Sequence, residues 1–377
     1  MIYLTYADQP SGVFSSQVVD VCRYMNTLPD AKIRLVAFIS LHQYNKNKAR
    51  IKTDDPNAWV LPMLPRMTAF GFNRFILLMV LLLTGERNII ARNVLACKMA
   101  IQLKKILKLK VCFDGRGAIA AEWNEYNVVP FPEWKQLIHQ WEKQCVVDSD
   151  WRIAVSSELV RYWNERYGFT SSDFSVIPCT LNTGFEAMTL DEKNIASARE
   201  QMGFGEQDIV LVYSGSTAGW QSFDMLHDFL KRILNEQLHV KVLFLSEKDK
   251  NVDALKKEFP NRIFQKFVKH HEVTSVLTSC DYGILLREKS VTNRVASPTK
   301  FAEYLSAGLP VLISEEIGDY TAFVETNHCG KVLNSTETIK LNRQSPAERN
   351  RCITLVTENY TKDSQRQKYL QLKQVMN

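Results

Sequence analysis

A chain of 377 residues is long enough for about two domains, and 45% hydrophobic with 23% charged residues suits globular units with sizeable cores. The formal charge of +6 includes no arginine or lysine block dense enough for a nucleic-acid grip, and it is compatible with anionic substrates or an anionic membrane surface. Eight scattered cysteines form no C-x-x-C pair and the histidines form no H-E-x-x-H spacing, which excludes a disulfide framework or a sequence-local zinc motif and favours a reducing, cytoplasmic setting.

The chain opens directly on a strand, Ile2–Tyr6, so no signal peptide is expected. Further strands are predicted over Ile33–Ile39, Asn88–Ala91, Lys110–Asp114, Arg152–Ser156 and Phe174–Pro178, with helices between them. One helix repeats Trp134, Leu137, Ile138, Trp141 and Cys145 at helical spacing; another starts at Ser156-Ser157-Glu158 and stops at Gly168. The most apolar run, Phe75–Leu83, is too short to span a bilayer, which needs roughly 20 residues. A buried helix is the default reading; Arg66 and Arg74 beside it keep shallow insertion into a membrane surface as the alternative.

After residue 183 the pattern repeats, with strands predicted over Ile209–Ser214, Val240–Ser246, Arg262–Phe267, Tyr282–Leu286, Val311–Ser314 and Gly330–Leu333. Strand–helix alternation throughout predicts an α/β fold of two doubly wound, mainly parallel sheets: a domain over residues 1–182, a second over 183–355, and a charged helical tail over 356–377. Ligands of such sheets bind outside the strand carboxyl ends.

Four loops there carry candidate chemistry. Asp8–Ser15 follows the first strand and places Gly12 where backbone can approach a ligand, without the G-x-G-x-x-G pattern of dinucleotide sites. Asp114-Gly115-Arg116-Gly117 turns sharply at a strand end; Arg116 either reaches a phosphate or carboxylate, or pairs with Asp114 to brace the turn. Arg92 ends a neighbouring strand. Tyr213–Gln221 brings small residues, among them Gly215 and Ser216, to the next domain's first strand end, and Arg287–Arg294 brings Arg287, Lys289 and Arg294 to the fourth.

The most informative stretch is Ser297–Val311, reading S-P-T-K-F-A-E-Y-L-S-A-G-L-P-V. It predicts a helix capped by Ser297, with Pro298 at its first position and Gly308 past its last turn. Phe301, Tyr304 and Leu305 fall on one face; Thr299, Glu303 and Ser306 fall on the other. Free amides at the helix start suit phosphate, and a carboxylate suits ribose hydroxyls.

This segment resembles the donor-site signature of retaining glycosyltransferases of family 4, whose fold is the two-domain GT-B type with an interdomain cleft. The resemblance implies a nucleotide-diphosphate sugar as donor substrate, no other cofactor and no metal. Glu303 would hold the ribose, while Ser297, Pro298, Thr299 and the helix amides would hold the diphosphate. Phe267 and Val268 would contact the nucleobase, and the tail would return to the first domain. Arg116, Arg287, Lys289 and Lys300 are the cations assigned to catalysis, with Gly12, Gly215, Ser216 and Arg294 lining the donor site.

The chain departs from the family pattern at three points. Ser216 and Gln221 stand where an arginine and a lysine usually contact the diphosphate, and Val295 replaces the first glutamate of E-x7-E. No histidine occupies a strand end of the first half. The implied partners are a saccharide or lipid-linked saccharide acceptor in bacterial surface polysaccharide synthesis and a peripheral contact with the inner membrane, with no nucleic acid. Two alternatives stay open: a GT-B epimerase or phosphorylase, and a catalytically silent protein that binds a nucleotide-sugar or scaffolds an assembly complex.

Overall fold

A computed structural model describes residues 1–126, 129, 131–183, 189–215, 222–268, 272–334 and 339–377. The chain divides into two compact units: Met1–Thr183 with Val295–Ser297 and Lys362–Asn377, and Gly184–Arg294 with Pro298–Thr361. The Lys362–Asn377 tail therefore belongs with the first unit, while residues 356–361 stay with the second.

In the first unit seven strands form one parallel sheet: β1 (Ile2–Tyr6), β2 (Arg34–Ile39), β3 (Trp59–Pro62), β4 (Asn88–Arg92), β5 (Lys110–Gly115), β6 (Trp151–Ala154) and β7 (Phe174–Val176). Their order is β3-β2-β1-β4-β5-β6-β7, so the chain reverses its direction of travel between β1 and β4. The central strands are buried residue after residue, as expected where helices cover both faces. The helix over Ser157–Tyr167 begins on the Ser156 hydroxyl, which accepts the Leu159 N–H at 3.1 Å, and ends on Gly168 with φ +69°.

The tail completes this core. Its helix, Arg366–Met376, buries Tyr369, Leu372 and Met376 against Tyr3, Met25 and Ile153. The Tyr24 hydroxyl donates to Asp363 at 2.8 Å, and Lys362 is buried with its ammonium 2.6 Å from Asp20 and 2.8 Å from the Leu181 carbonyl. Burial lowers the Lys362 pKa, and the Asp20 carboxylate opposes that shift.

The apolar run read as a buried core helix is only half so. The Phe70–Thr84 helix buries Asn73, Leu77, Val80 and Leu81, but leaves Phe72, Phe75, Met79, Leu82 and Leu83 exposed. Hydrophobic residues surround it, so composition alone conceals which face is inside.

The second unit carries a six-stranded parallel sheet in the order β10-β9-β8-β11-β12-β13: β8 (Ile209–Ser214), β9 (Val240–Leu245), β10 (Ile263–Lys266), β11 (Tyr282–Leu285), β12 (Val311–Ser314) and β13 (Gly330–Leu333). The reversal lies between β8 and β11. Seven and six parallel strands, each sheet wound with helices, are the two doubly wound, mainly parallel sheets that the strand–helix alternation predicts.

A buried ionic cluster fixes the entry edge of this sheet. Asp281, just before β11, lies 3.1 Å from both Arg199 and Arg349 and also accepts the Val210 N–H at 2.8 Å. All three charged groups are almost fully buried, and each guanidinium makes further bonds to backbone carbonyls. The cluster ties the Glu192–Met202 and Pro346–Asn359 helices to the strands.

Candidate donor-nucleotide site

The Thr299–Ser306 helix packs unusually close to the second sheet, and a glycine makes that possible. A Cβ on Gly283 in β11 would lie 2.3 Å from the Tyr304 ring. On the same buried face, Phe301 meets Tyr320 at 4.3 Å and Tyr360 at 5.4 Å between ring centroids. Gly308, with φ +71°, turns the chain out of the helix into β12.

The helix start differs from the sequence expectation by one residue. Pro298, with extended backbone, is the cap, Thr299 is the first helical residue, and no side chain caps the first turn. Ser297 is not the N-cap: its hydroxyl accepts the Cys179 N–H at 2.8 Å within the first unit. The proline ring sets the helical entry without a capping hydroxyl, so the first-turn amides keep no side-chain acceptor. Ser306, expected on the outer face, is buried with its hydroxyl donating to the Glu303 carbonyl at 2.8 Å.

Above this helix start lies a cavity of about 500 Å³ at the carboxyl ends of β8, β9 and β10. Ser214, Gly215, Leu245, Phe267, Val268 and Lys300 are among its lining residues. Gly215 has φ +150° and no atom within 4 Å of a would-be Cβ, so the backbone lies bare toward open space. Phe267 is 69% exposed at the cavity, an apolar plane held out by the end of β10. The lip at the end of β9 is tied by Gln265, whose amide donates to the Ser246 hydroxyl at 3.2 Å and the Glu247 carbonyl at 2.6 Å.

Lys300 and Glu303 stand one turn apart and form an ion pair of 2.7 Å, each partly exposed. The pair keeps a cation at the cavity wall and a carboxylate on the helix face behind it. Tyr304 links the same helix to the glycine loop: its hydroxyl accepts the Ser214 N–H at 2.9 Å and donates to the Ile284 carbonyl at 3.3 Å. Burial raises the Tyr304 pKa, so the phenol stays protonated.

The loop after β11 does less than its charges suggested. Arg287 is buried; its guanidinium donates to the Asn293 side-chain oxygen Oδ1 at 3.3 Å, and its backbone exchanges two hydrogen bonds with the Ser314 hydroxyl. It also lies near Tyr213, whose pKa burial raises to about 12 while the Arg287 charge pulls it down. Lys289, assigned to the leaving diphosphate, instead lies 2.8 Å from Glu315 and 3.1 Å from Glu316 on the surface. Two carboxylates there outweigh its one charge. The Arg294 N–H closes the turn on the Ser290 carbonyl at 2.9 Å. Ser216 and Gln221 lie outside the described residues.

In the first unit the two arginines join a buried polar network at the carboxyl ends of β1, β4 and β5. Asp114 accepts from the Tyr3 hydroxyl, lies 3.3 Å from Arg116 and lies 3.8 Å from Arg92, which is itself 3.5 Å from Asp8. Arg116 reaches further to Gln17 at 3.4 Å and the Cys179 sulfur at 3.3 Å. Its side chain is only 11% exposed, so the turn-bracing alternative describes it and the outward-reaching one does not. Gly12 starts a short exposed turn whose cap is Ser11, accepting the Phe14 N–H at 3.2 Å.

Elsewhere in the first unit the Glu142 carboxylate is buried where it accepts the Ile119 N–H at 2.8 Å and the Tyr167 hydroxyl at 2.6 Å. Burial pushes its pKa up to about 7, against the pull of these donors.

Sequence and structure comparisons bear on the fold and on the second unit. Residues 216–362 match the family described as glucosyltransferase 3-like, C-terminal domain. No curated protein matches this sequence. Among solved structures, HepE from Anabaena in complex with UDP and glucose superposes with a TM-score of 0.67 at 13% identity, covering 99% of this chain and 98% of that one. A glycosyltransferase from Rickettsia africae gives 0.70 at 13% identity, covering 100% and 98%. Sucrose-phosphate synthase from Thermosynechococcus elongatus gives 0.67 at 14% identity, covering 99% and 97%. At such identities the likeness fixes the GT-B fold.

Proposed function

We propose that the protein is a retaining glycosyltransferase that moves a sugar from a nucleotide-diphosphate donor to a hydroxyl of a lipid-linked saccharide, in bacterial surface polysaccharide synthesis. The observation that carries this reading is the proline-started, uncapped helix with Lys300 and Glu303 one turn apart beside a cavity at three strand ends. The glucosyltransferase 3-like match over the same half supports it.

The diphosphate lies at the amides of Thr299 and Lys300 and over the bare backbone of Gly215, where donors fixed in advance meet charge that grows as the sugar departs. Glu303 takes the ribose hydroxyls, and the base lies against Phe267 and Val268. In the transfer, the bond from the sugar's anomeric carbon to the phosphate oxygen breaks. A new bond to the acceptor oxygen forms on the same face, and the acceptor proton passes to the leaving phosphate. Lys300 supplies the cation at the cavity wall, so the reading needs no metal; Arg287 and Arg116 hold the loops rather than the donor. A lipid-linked acceptor is met at a membrane, so peripheral contact with its cytoplasmic face belongs to this reading.

The test is isothermal titration with UDP, GDP, ADP and CMP sugars, followed by product analysis with and without saccharide acceptors. Donor binding with an acceptor-dependent glycoside of retained configuration is the expected result. Binding without transfer to any acceptor would favour the silent nucleotide-sugar binder, a reading that the paired state of Lys289 motivates.

A further inference from the structure

The Phe70–Thr84 helix presents a second apolar face that the fold does not use. At helical spacing Phe72, Phe75, Met79, Leu82 and Leu83 form one stripe, exposed by 53%, 55%, 42%, 54% and 77%. Fifteen residues extend about 22 Å. Soluble surfaces scatter single exposed hydrophobes, whereas five on one stripe mark an interaction face.

Charge identifies what covers it. From Pro56 to Phe113 the chain carries nine Arg and Lys residues against a single acid, Glu86, and that acid lies 2.8 Å from the amino group of Met1. Arg66 precedes the helix, Arg74 lies on it, and Arg87 follows it. The neighbouring Asn93–Leu107 helix ends at Lys105 and Lys108, beside Ile106, which is 70% exposed. None of these five cations is engaged in an ion pair among the described residues, and all but Arg74 are fully on the surface. An apolar stripe with unpaired cations before, on and after its helix, and more at the end of the neighbouring helix, matches the hydrocarbon and phosphate layers of an anionic bilayer. The same face offers a second copy of this chain no opposite charge.

We infer that the outer face of the Phe70–Thr84 helix seats the protein on an anionic lipid surface, the stripe entering the acyl boundary while Arg66, Arg74, Arg87, Lys105 and Lys108 meet lipid phosphates. The contact so inferred is peripheral, a helix lying in the interface; no helix among the described residues is long and apolar enough to cross a membrane. This deepens the membrane-contact part of the proposed function, and its test reads lipid binding alone, so either can fail while the other stands.

The experiment is co-sedimentation of the full chain with vesicles of phosphatidylcholine, with and without about 30% phosphatidylglycerol. Binding to the anionic vesicles alone, weakened by salt, is expected. F75D/L83D and K105E/K108E should each reduce the partition coefficient roughly tenfold or more. Unchanged melting temperatures and nucleotide affinity in both variants verify the fold. The inference is overturned by failure to sediment with anionic vesicles, by equal binding to neutral ones, or by variants that bind as wild type does. A wild-type dimer that F75D/L83D dissociates, with no lipid binding, overturns it in favour of a second copy.

Discussion

The phenol of Tyr304 accepts the backbone N–H of Ser214 at 2.9 Å, and through that bond the helix bearing Glu303 holds the strand end that leads into Gly215. A hydroxyl from the signature segment thus sets the position of a loop remote in sequence. Tyr304→Phe keeps the ring under Gly283 but leaves the Ser214 N–H unpaired, at a cost of about 1–3 kcal/mol. Donor affinity should fall about tenfold while the second unit remains folded, measured by titration calorimetry beside a thermal melt.

Lys300 and Glu303 form a partly exposed pair, which in itself stabilises the fold by less than about 1 kcal/mol. Lys300→Ala and Glu303→Ala should therefore barely move the melting temperature. Loss of the cation should lower turnover by about a hundredfold or more, and loss of the carboxylate should mainly weaken nucleotide binding. Wild-type kinetics in both variants would remove the basis of the site.

Gly283→Ala tests the close packing directly. The added methyl would sit 2.3 Å from the Tyr304 ring, and a buried aromatic side chain has no empty side to move to. A loss of about 1–3 kcal/mol in denaturant unfolding is expected, with weaker donor binding as the helix shifts.

Glu142 makes stability pH-dependent. Its folded pKa, pushed up to about 7, lies above the ordinary value of 4.5, so the folded state favours the protonated form. That contribution is fully present below about pH 4.5 and is lost as the pH rises through 7, amounting to about 3 kcal/mol across the window. Glu142→Gln should flatten this part of the stability profile, its amide oxygen still accepting the Ile119 N–H. Urea unfolding at pH 5 and pH 8 decides: equal pH slopes in the two proteins would contradict the assignment.

Asp281→Ala serves as a control away from the nucleotide site. It leaves Arg199 and Arg349 buried without their shared carboxylate, at about 3–5 kcal/mol. Because Asp281 precedes β11 and the cavity follows the opposite strand ends, donor affinity per folded molecule should be unchanged at low temperature.

Much of this architecture could be read from the chain, because buried parallel strands are runs of Val, Ile and Leu bounded by polar loops. The exception was β3: Trp59–Pro62 is a four-residue edge strand, partly exposed and ending in proline, so it lacks both length and a continuous apolar run. The Ser297 cap was misassigned because a serine before a proline fits the capping pattern, and nothing local reveals that Cys179 claims the hydroxyl. The charges of Arg287–Arg294 overstated the site for a similar reason, since Glu315, Glu316 and Asn293 become neighbours only on folding. Tyr304 and Gln265 were invisible as site residues, one resembling a core aromatic and the other an ordinary strand polar residue. A tyrosine placed where a helix crosses two strand ends was the only available hint.

The place of Lys362 inside the first unit also governs how this molecule is born. Residues that plug the core around Tyr3 and Met25 are synthesised only after the second unit, so a nascent chain that has emerged as far as Thr183 exposes an apolar hollow and leaves Asp20 with Arg23 at 3.6 Å but without its buried ammonium partner. The amino-terminal half must wait, partly assembled, through translation of the whole second half, and it is in that interval that a chaperone would find its client.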